Sequence, residues 1–155
     1  MREIERKFLV KNSRYKALAF EKKYTIQAYL NTHPERSVRI RIQEQKAWIT
    51  VKGKSDEKGL SRFEWEQTIA VADAEKLLKI CEPGKIEKYR YYVKFINQLF
   101  EVDEFLGENS GLVVAEAELE NINQPLALPD WIGEEVTGNK AYYNASLMKL
   151  PYTNW

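Results

Sequence analysis

Fixed charge alternates with apolar side chains in segment after segment of this chain, and no other feature restricts its fold so tightly. Successive side chains of a β-strand point to opposite faces. In Ser37-Val38-Arg39-Ile40-Arg41-Ile42 the two arginines therefore share one face, while Val38, Ile40 and Ile42 take the other. Thr50 and Lys52 oppose Ile49 and Val51, Arg62, Glu64 and Glu66 oppose Phe63 and Trp65, and Lys88 and Arg90 oppose Tyr89 and Tyr91. Glu101 and Asp103 oppose Val102, and Glu116, Glu118 and Glu120 oppose Ala115, Ala117 and Leu119. At the front of the chain, Glu3, Glu5 and Lys7 likewise fall on one face. A sheet with one wet face also alternates. Such a face favours Thr, Ser, Gln and flexible Lys, whereas these segments repeat Arg-x-Arg, Lys-x-Arg and Glu-x-Glu. The signs are also sorted, basic on the third, fourth and sixth segments and acidic on the first and the last two.

The segments that read as strands are roughly Glu3–Val10, Tyr24–Asn31, Ser37–Gln43, Ala47–Lys54, Arg62–Ile69, Glu87–Phe95, Gln98–Phe105 and Leu112–Asn121. Turn chemistry separates them at His33-Pro34, from Gly53 to Gly59, at Asn97, and from Gly107 to Gly111. Helical pieces are expected near Ser13–Phe20, from an N-cap at Asp73 through Leu77, Leu78 and Cys81, and over Ala141–Leu150, where Pro151 stops the helix. The order predicts an α+β, mainly antiparallel β fold, with eight strands in a closed or partly open barrel and flanking helices. With the charged faces inward, the barrel encloses a tunnel with one cationic and one anionic wall. Fixed charge buried at that density calls for a ligand, a metal or water to neutralise it.

Bulk properties narrow the partners. The 155 residues suit a single domain over 1–155, and a net charge of +1 gives no basis for nucleic-acid or membrane binding. The lone Cys81 reads as a packing residue and the lone His33 as a loop residue. No apolar run reaches membrane-span length and the first residues lack a signal-peptide core, so a reducing, cytoplasmic setting is the default expectation. A polyphosphate carrying divalent cations fits both walls. Arg forks grip phosphate oxygens, Lys binds them as a point charge, and clustered carboxylates favour Mg²⁺ or Mn²⁺ where no Cys or His cluster competes. No Gly-rich loop leads into a helix, which argues against a P-loop site.

With these residues assembled, the chain resembles the CYTH superfamily, the triphosphate tunnel metalloenzymes. The resemblance runs in order through Glu3-x-Glu5-x-Lys7, Tyr29, Arg39-x-Arg41, Thr50-x-Lys52-Gly53, Arg62-x-Glu64-x-Glu66, Lys88-x-Arg90-Tyr91 and Val102-Asp103-Glu104-Phe105. It ends in Glu116-x-Glu118-x-Glu120 and the stretch from Glu135 to Asn144, so it covers essentially the whole chain. It implies that Arg39, Arg41, Lys52, Lys88 and Arg90 grip the phosphates, with Arg62 as a further contact. It also implies that Glu3, Glu5, Glu116 and Glu118 hold the metal, with Asp103, Glu64 and Glu66 as additions. Glu120 continues the same face and is expected near or beyond the end of the tunnel.

Lys7 and Tyr29 resemble the lysine–tyrosine pair of short bacterial members that hydrolyse inorganic triphosphate. Lys7 would either deprotonate the attacking water, which requires a depressed pKa, or position it electrostatically. The leading expectation is metal-dependent hydrolysis of inorganic triphosphate to diphosphate and phosphate. Alternatives are hydrolysis of thiamine triphosphate or a nucleotide, cyclisation of ATP as in class IV adenylyl cyclases, and a non-catalytic polyphosphate-binding module. Pairing into a homodimer stays open, since Phe63, Trp65 and Tyr91 face outward and either helices or a second copy would cover them. Trp131 and Trp155 are candidates to close one tunnel mouth.

Overall fold

A computed structural model describes residues 2–155. Nine strands are formed: β1 (Arg2–Val10), β2 (Glu21–Asn31), β3 (Arg36–Gln43), β4 (Lys46–Gly53), β5 (Ser61–Ile69), β6 (Ile86–Phe95), β7 (Gln98–Phe105), β8 (Val113–Glu118) and β9 (Ile132–Glu135). Three α-helices accompany them: α1 (Arg14–Leu18), α2 (Val71–Leu78) and α3 (Asn144–Lys149). The strand order is β5-β4-β3-β2-β6-β7-β8-β1-β9, with a further β5–β1 pairing. That pairing closes eight of the nine strands into an antiparallel barrel and leaves β9 as an addition beside β1.

The first strand makes the closure possible by changing partners along its length. Its front, Arg2 to Ile4, pairs with β5, Glu5 to Leu9 pairs with β8, and Phe8 and Val10 pair with β9. β9 is the strand that alternation did not reveal, because four residues are too few to show a period.

Outward apolar faces are covered by two helices. Tyr15 of α1 meets Tyr91 edge-on at 5.2 Å and joins Phe8, Phe100, Val102 and Trp131 in one buried cluster. Ala74 of α2 is buried on Ile40 and Ala47, with Leu77, Leu78 and Cys81 along the edge of that cluster. The expected cap at Asp73 is corrected: Ala70 holds the N-cap position and Asp73 stands in the first turn. The chain leaves β5 at Ile69 and enters the helix at Val71, three residues nearer than Asp73 would require of a cap. Asp73 still complements the positive end of the helix from there.

The third helix is placed differently. Leu147 and Met148 of α3 pack on Tyr29, Ile86, Phe105 and Val114. Tyr29 lies opposite Arg39, Ile86 opposite Gln27 and Val114 opposite Asp103, so these residues belong to the inward faces. The barrel interior is therefore charged over part of its length and apolar at one end, where α3 is seated. Residues Lys140–Tyr142 form a 3-10 turn, so α3 begins at Asn144, later than expected.

Neither tryptophan closes a mouth. Trp131 is buried in the α1 cluster, and Trp155 lies half exposed against Tyr142 and Tyr152. Tyr91 is covered by α1, while Phe63 and Trp65 on β5 remain 47% and 48% exposed. Among the described residues, no helix is long and apolar enough to cross a membrane.

Candidate active site: two opposed walls in the barrel

Closure makes the charge sorting contiguous. Strands β4, β3 and β6 carry the cations, with β2 joining β3 to β6, while β7, β8 and β1 are neighbours and carry the carboxylates. Between them lies a cavity of about 840 Å³. Glu3, Glu5, Lys7, Tyr29, Arg39, Arg41, Lys52, Arg62, Glu64, Glu66, Arg90, Glu116 and Glu118 all line it. Lys88 and Asp103 stand behind the lining.

Those two residues form a buried support. Asp103 Oδ2 accepts from Lys88 Nζ at 2.7 Å and from Arg90 Nη2 at 2.8 Å, and its Oδ1 accepts from Arg90 Nε at 2.7 Å. The Lys88 and Asp103 side chains are each 1% exposed. Burial pushes Lys88 down to about 8 against the opposing pull of Asp103. Both Asp103 oxygens are thus engaged in aiming Arg90 at the cavity. That placement differs from the metal-facing position the sequence suggests for Asp103.

The cationic wall carries more charge than the protein neutralises. Arg39 and Arg41 each have a buried Nε without a partner among the described residues. Burial, then Arg39 and Arg90, lower Arg41 to about 10, an unusual value for a guanidinium. Glu66 lies 3.5 Å from Arg39 and 3.8 Å from Arg41 and accepts from Thr50 at 2.7 Å. Lys52 bridges Glu3 at 2.9 Å and Glu64 at 3.4 Å. Glu64 and Glu66 accordingly sit on the cationic side of the cavity, with Glu64 hydrogen-bonded to Glu3.

The anionic wall has the converse excess. Burial, then the nearby Glu116 and Glu3, push Glu5 up to about 8. Burial also works against the Glu116 carboxylate, but Lys7, Arg90 and Lys88 outweigh it and hold Glu116 well below the usual range. The two carboxyl groups hydrogen-bond to each other and share one proton. Among the described residues, no three carboxylate, His or Cys side chains form a ready ligand cluster. The donor set is nonetheless all oxygen, and a buried carboxyl pair that retains a proton near neutrality fits a hard divalent cation. Glu118 is more exposed, and Glu120 lies past the end of β8 with an exposed side chain.

At Lys7, burial disfavours the ammonium, yet Glu116 and Glu5 prevail and raise its pKa above the ordinary lysine value. The depressed value that a general base needs is not what these surroundings produce. Lys7 Nζ lies 3.8 Å from Glu116 and 5.1 Å from the centre of the Tyr143 ring. Tyr29 borders the same cavity with its ring in the α3 cluster.

Several lining residues are given no role by the sequence, although alternation puts one of them, Glu101, on the charged face. Glu101 faces the cavity and lies 3.2 Å from Arg90, and its place two residues before Asp103 was signal enough to find it. Tyr143 and Asn144 line the cavity from an irregular segment where no period applies.

The fold and the site together define a closed β-barrel whose interior sets a cationic wall against a carboxylate wall. The CYTH domain family matches residues 1–151, and the chain belongs to that family. It is 47% identical over 155 residues to the inorganic triphosphatase of Acetivibrio thermocellus, covering 99% of this chain and 97% of that one. It is 40% identical to the inorganic triphosphatase of Nitrosomonas europaea, covering 95% and 97%. Among solved structures, a crystal structure described as an inorganic triphosphatase superposes with a TM-score of 0.65 at 35% identity, covering 94% of this chain and 97% of that one. A Pyrococcus horikoshii protein at 24% identity, covering 78% and 80%, shares the fold with a TM-score of 0.63.

Proposed function

We infer that this protein hydrolyses inorganic triphosphate to diphosphate and phosphate inside the barrel, as a metal-dependent phosphoanhydride hydrolase of one CYTH domain. The observation that carries the inference is the arginine pair Arg39 and Arg41, which share the single carboxylate of Glu66 and keep their Nε groups unpartnered, facing a proton-sharing carboxyl pair, Glu5 and Glu116, across one cavity. A phosphate chain satisfies the first and a divalent cation the second. Two relatives that match over nearly their whole length are named for this activity.

Arg39, Arg41, Lys52, Arg62 and Arg90 grip the phosphate oxygens, with Arg90 held in place by Asp103 and Lys88. Glu3, Glu5, Glu116 and Glu118 are the groups that would hold Mg²⁺ or Mn²⁺. When bound, that ion neutralises charge on the phosphate chain and its leaving oxygens. Lys7, whose ammonium the Glu116 and Glu5 carboxylates favour in the metal-free protein, orients the attacking water and attracts the oxygens of the terminal phosphate. Tyr29 presents its hydroxyl from a ring that α3 immobilises. The partner is a small-molecule triphosphate, and a reducing, cytoplasmic setting suits the single half-buried thiol of Cys81.

Two substitutions separate the roles. Lys7→Ala is expected to lower kcat on triphosphate by about 10²–10³-fold with little change in KM. Arg39→Ala is expected to raise KM by about 10–100-fold, the equivalent of one charge-assisted hydrogen-bonded contact. If Arg39→Ala leaves KM unchanged, the cationic wall is not the phosphate grip.

A further inference from the structure

Beyond β9 the chain crosses the rim of the cavity as a strap, residues 136–143, before entering α3. Its start is tied to the backbone of Lys7. Val136 N–H donates to the Lys7 carbonyl at 2.8 Å, and Lys7 N–H donates to Thr137 Oγ1 at 2.9 Å. The strap then meets the β4–β5 loop through two glycines in the left-handed region, Gly138 at φ +78° and Gly59 at φ +70°. A Cβ on Gly59 would fall 2.3 Å from Gly138 Cα, so only glycines permit this approach. The strap ends on Tyr143, whose ring centre lies 5.1 Å from Lys7 Nζ and 5.7 Å from Arg62 Cζ. Its neighbour Asn144 accepts from Lys88 Nζ at 3.5 Å. One short segment therefore touches cations on β1, β5 and β6.

Lys7 and Arg62 are like charges near one another in a buried site, and the negative π face of one aromatic ring attracts both. The lysine stem has four rotatable bonds, and its other attractors are Glu116 at 3.8 Å and Glu5. The ring is the attractor that opposes a closer pairing of Lys7 with the acidic wall. We propose that Tyr143 is a positioning residue for hydrolysis: its ring face keeps the Lys7 ammonium and the Arg62 guanidinium aimed into the cavity, and so sets turnover more than affinity. This rests on reading the cavity as a triphosphate site. The phenol hydroxyl has no part in it.

The test compares Tyr143→Phe, which keeps the ring, with Tyr143→Leu, which keeps apolar bulk but no π face. Tyr143→Met serves as a second ring-free variant should thermal melts show the leucine protein unfolded. Steady-state hydrolysis of triphosphate with Mg²⁺ is measured beside the Lys7 Hε resonances of the metal-free protein, which the ring shifts upfield. Tyr143→Phe is expected to stay within about twofold of the parent in kcat and to keep the shifted resonances. The ring-free variants are expected to lose the shift and about tenfold in kcat, with KM within about twofold. A ring-free variant that folds and keeps parental kcat overturns the proposal, as does a phenylalanine variant as slow as the leucine one. If the parent protein does not hydrolyse triphosphate at all, the functional reading fails instead. The Lys7 resonances then still decide whether the ring holds the lysine: an unshifted signal in the parent contradicts that too.

Discussion

Glu5 and Glu116 are the pair in which the electrostatics of this barrel are most exposed to measurement. Unfolded, both carboxyl groups ionise near pH 4.5; folded, Glu5 keeps its proton up to about pH 8 because it is buried beside Glu116 and Glu3. Over that window the folded chain holds the extra proton. Stability of the metal-free protein therefore falls as pH rises, by up to about 1.4 kcal/mol per pH unit. Melting temperatures of chelator-treated protein should drop between pH 5.5 and 8. Glu5→Gln should flatten the profile, and so should Mg²⁺ if the ion replaces the shared proton. A melting temperature that climbs through this range would show that the pair is not proton-sharing. In the metal-free protein the carboxylates of Glu116 and Glu5 likewise favour the Lys7 ammonium.

Among the elements, the strap that follows β9 is held by backbone geometry more than by side chains. Gly138→Ala places a Cβ 2.5 Å from the Lys58 carbonyl oxygen at a positive φ, which forces the strap off the β4–β5 loop. It is expected to cost at least about 1–3 kcal/mol in denaturant unfolding and to lower turnover through Tyr143. An unchanged denaturation midpoint would mean the two loops are not packed together. Neither this contact nor β9 was legible beforehand, since four-residue strands and irregular segments carry no period. The eight barrel strands were legible because each alternates over six or more residues. The position of α3 was half legible: Leu147 and Met148 declare an apolar face, but nothing local says that it meets the interior of the barrel and not its outside. Asp103 shows the same limit. Its face was correctly read from alternation with Val102, yet its role depends on two cations of β6 that cross-strand register brings within 3 Å.

At the scale of the whole molecule, closure turns a list of charged strands into two walls. In sequence the basic segments are the third, fourth and sixth, interrupted by the mixed β5. In space β5 lies at the seam with β1, and β2 joins β3 to β6, so the cations adjoin. The carboxylates of β1, at one end of the chain, reach those of β8 only through the antiparallel pairing of Glu5 with Glu118 and Lys7 with Glu116. That long-range pairing creates the cavity as well as the barrel, and it sets the carboxylates of β1 and β8 opposite the cationic wall. The most direct test offers purified protein and Mg²⁺ or Mn²⁺ inorganic triphosphate, ATP and thiamine triphosphate in parallel, with phosphate and cyclic AMP both measured. The account predicts metal-dependent phosphate release fastest from inorganic triphosphate; cyclic AMP from ATP, faster release from either organic triphosphate, or tight binding of all three without turnover would contradict it.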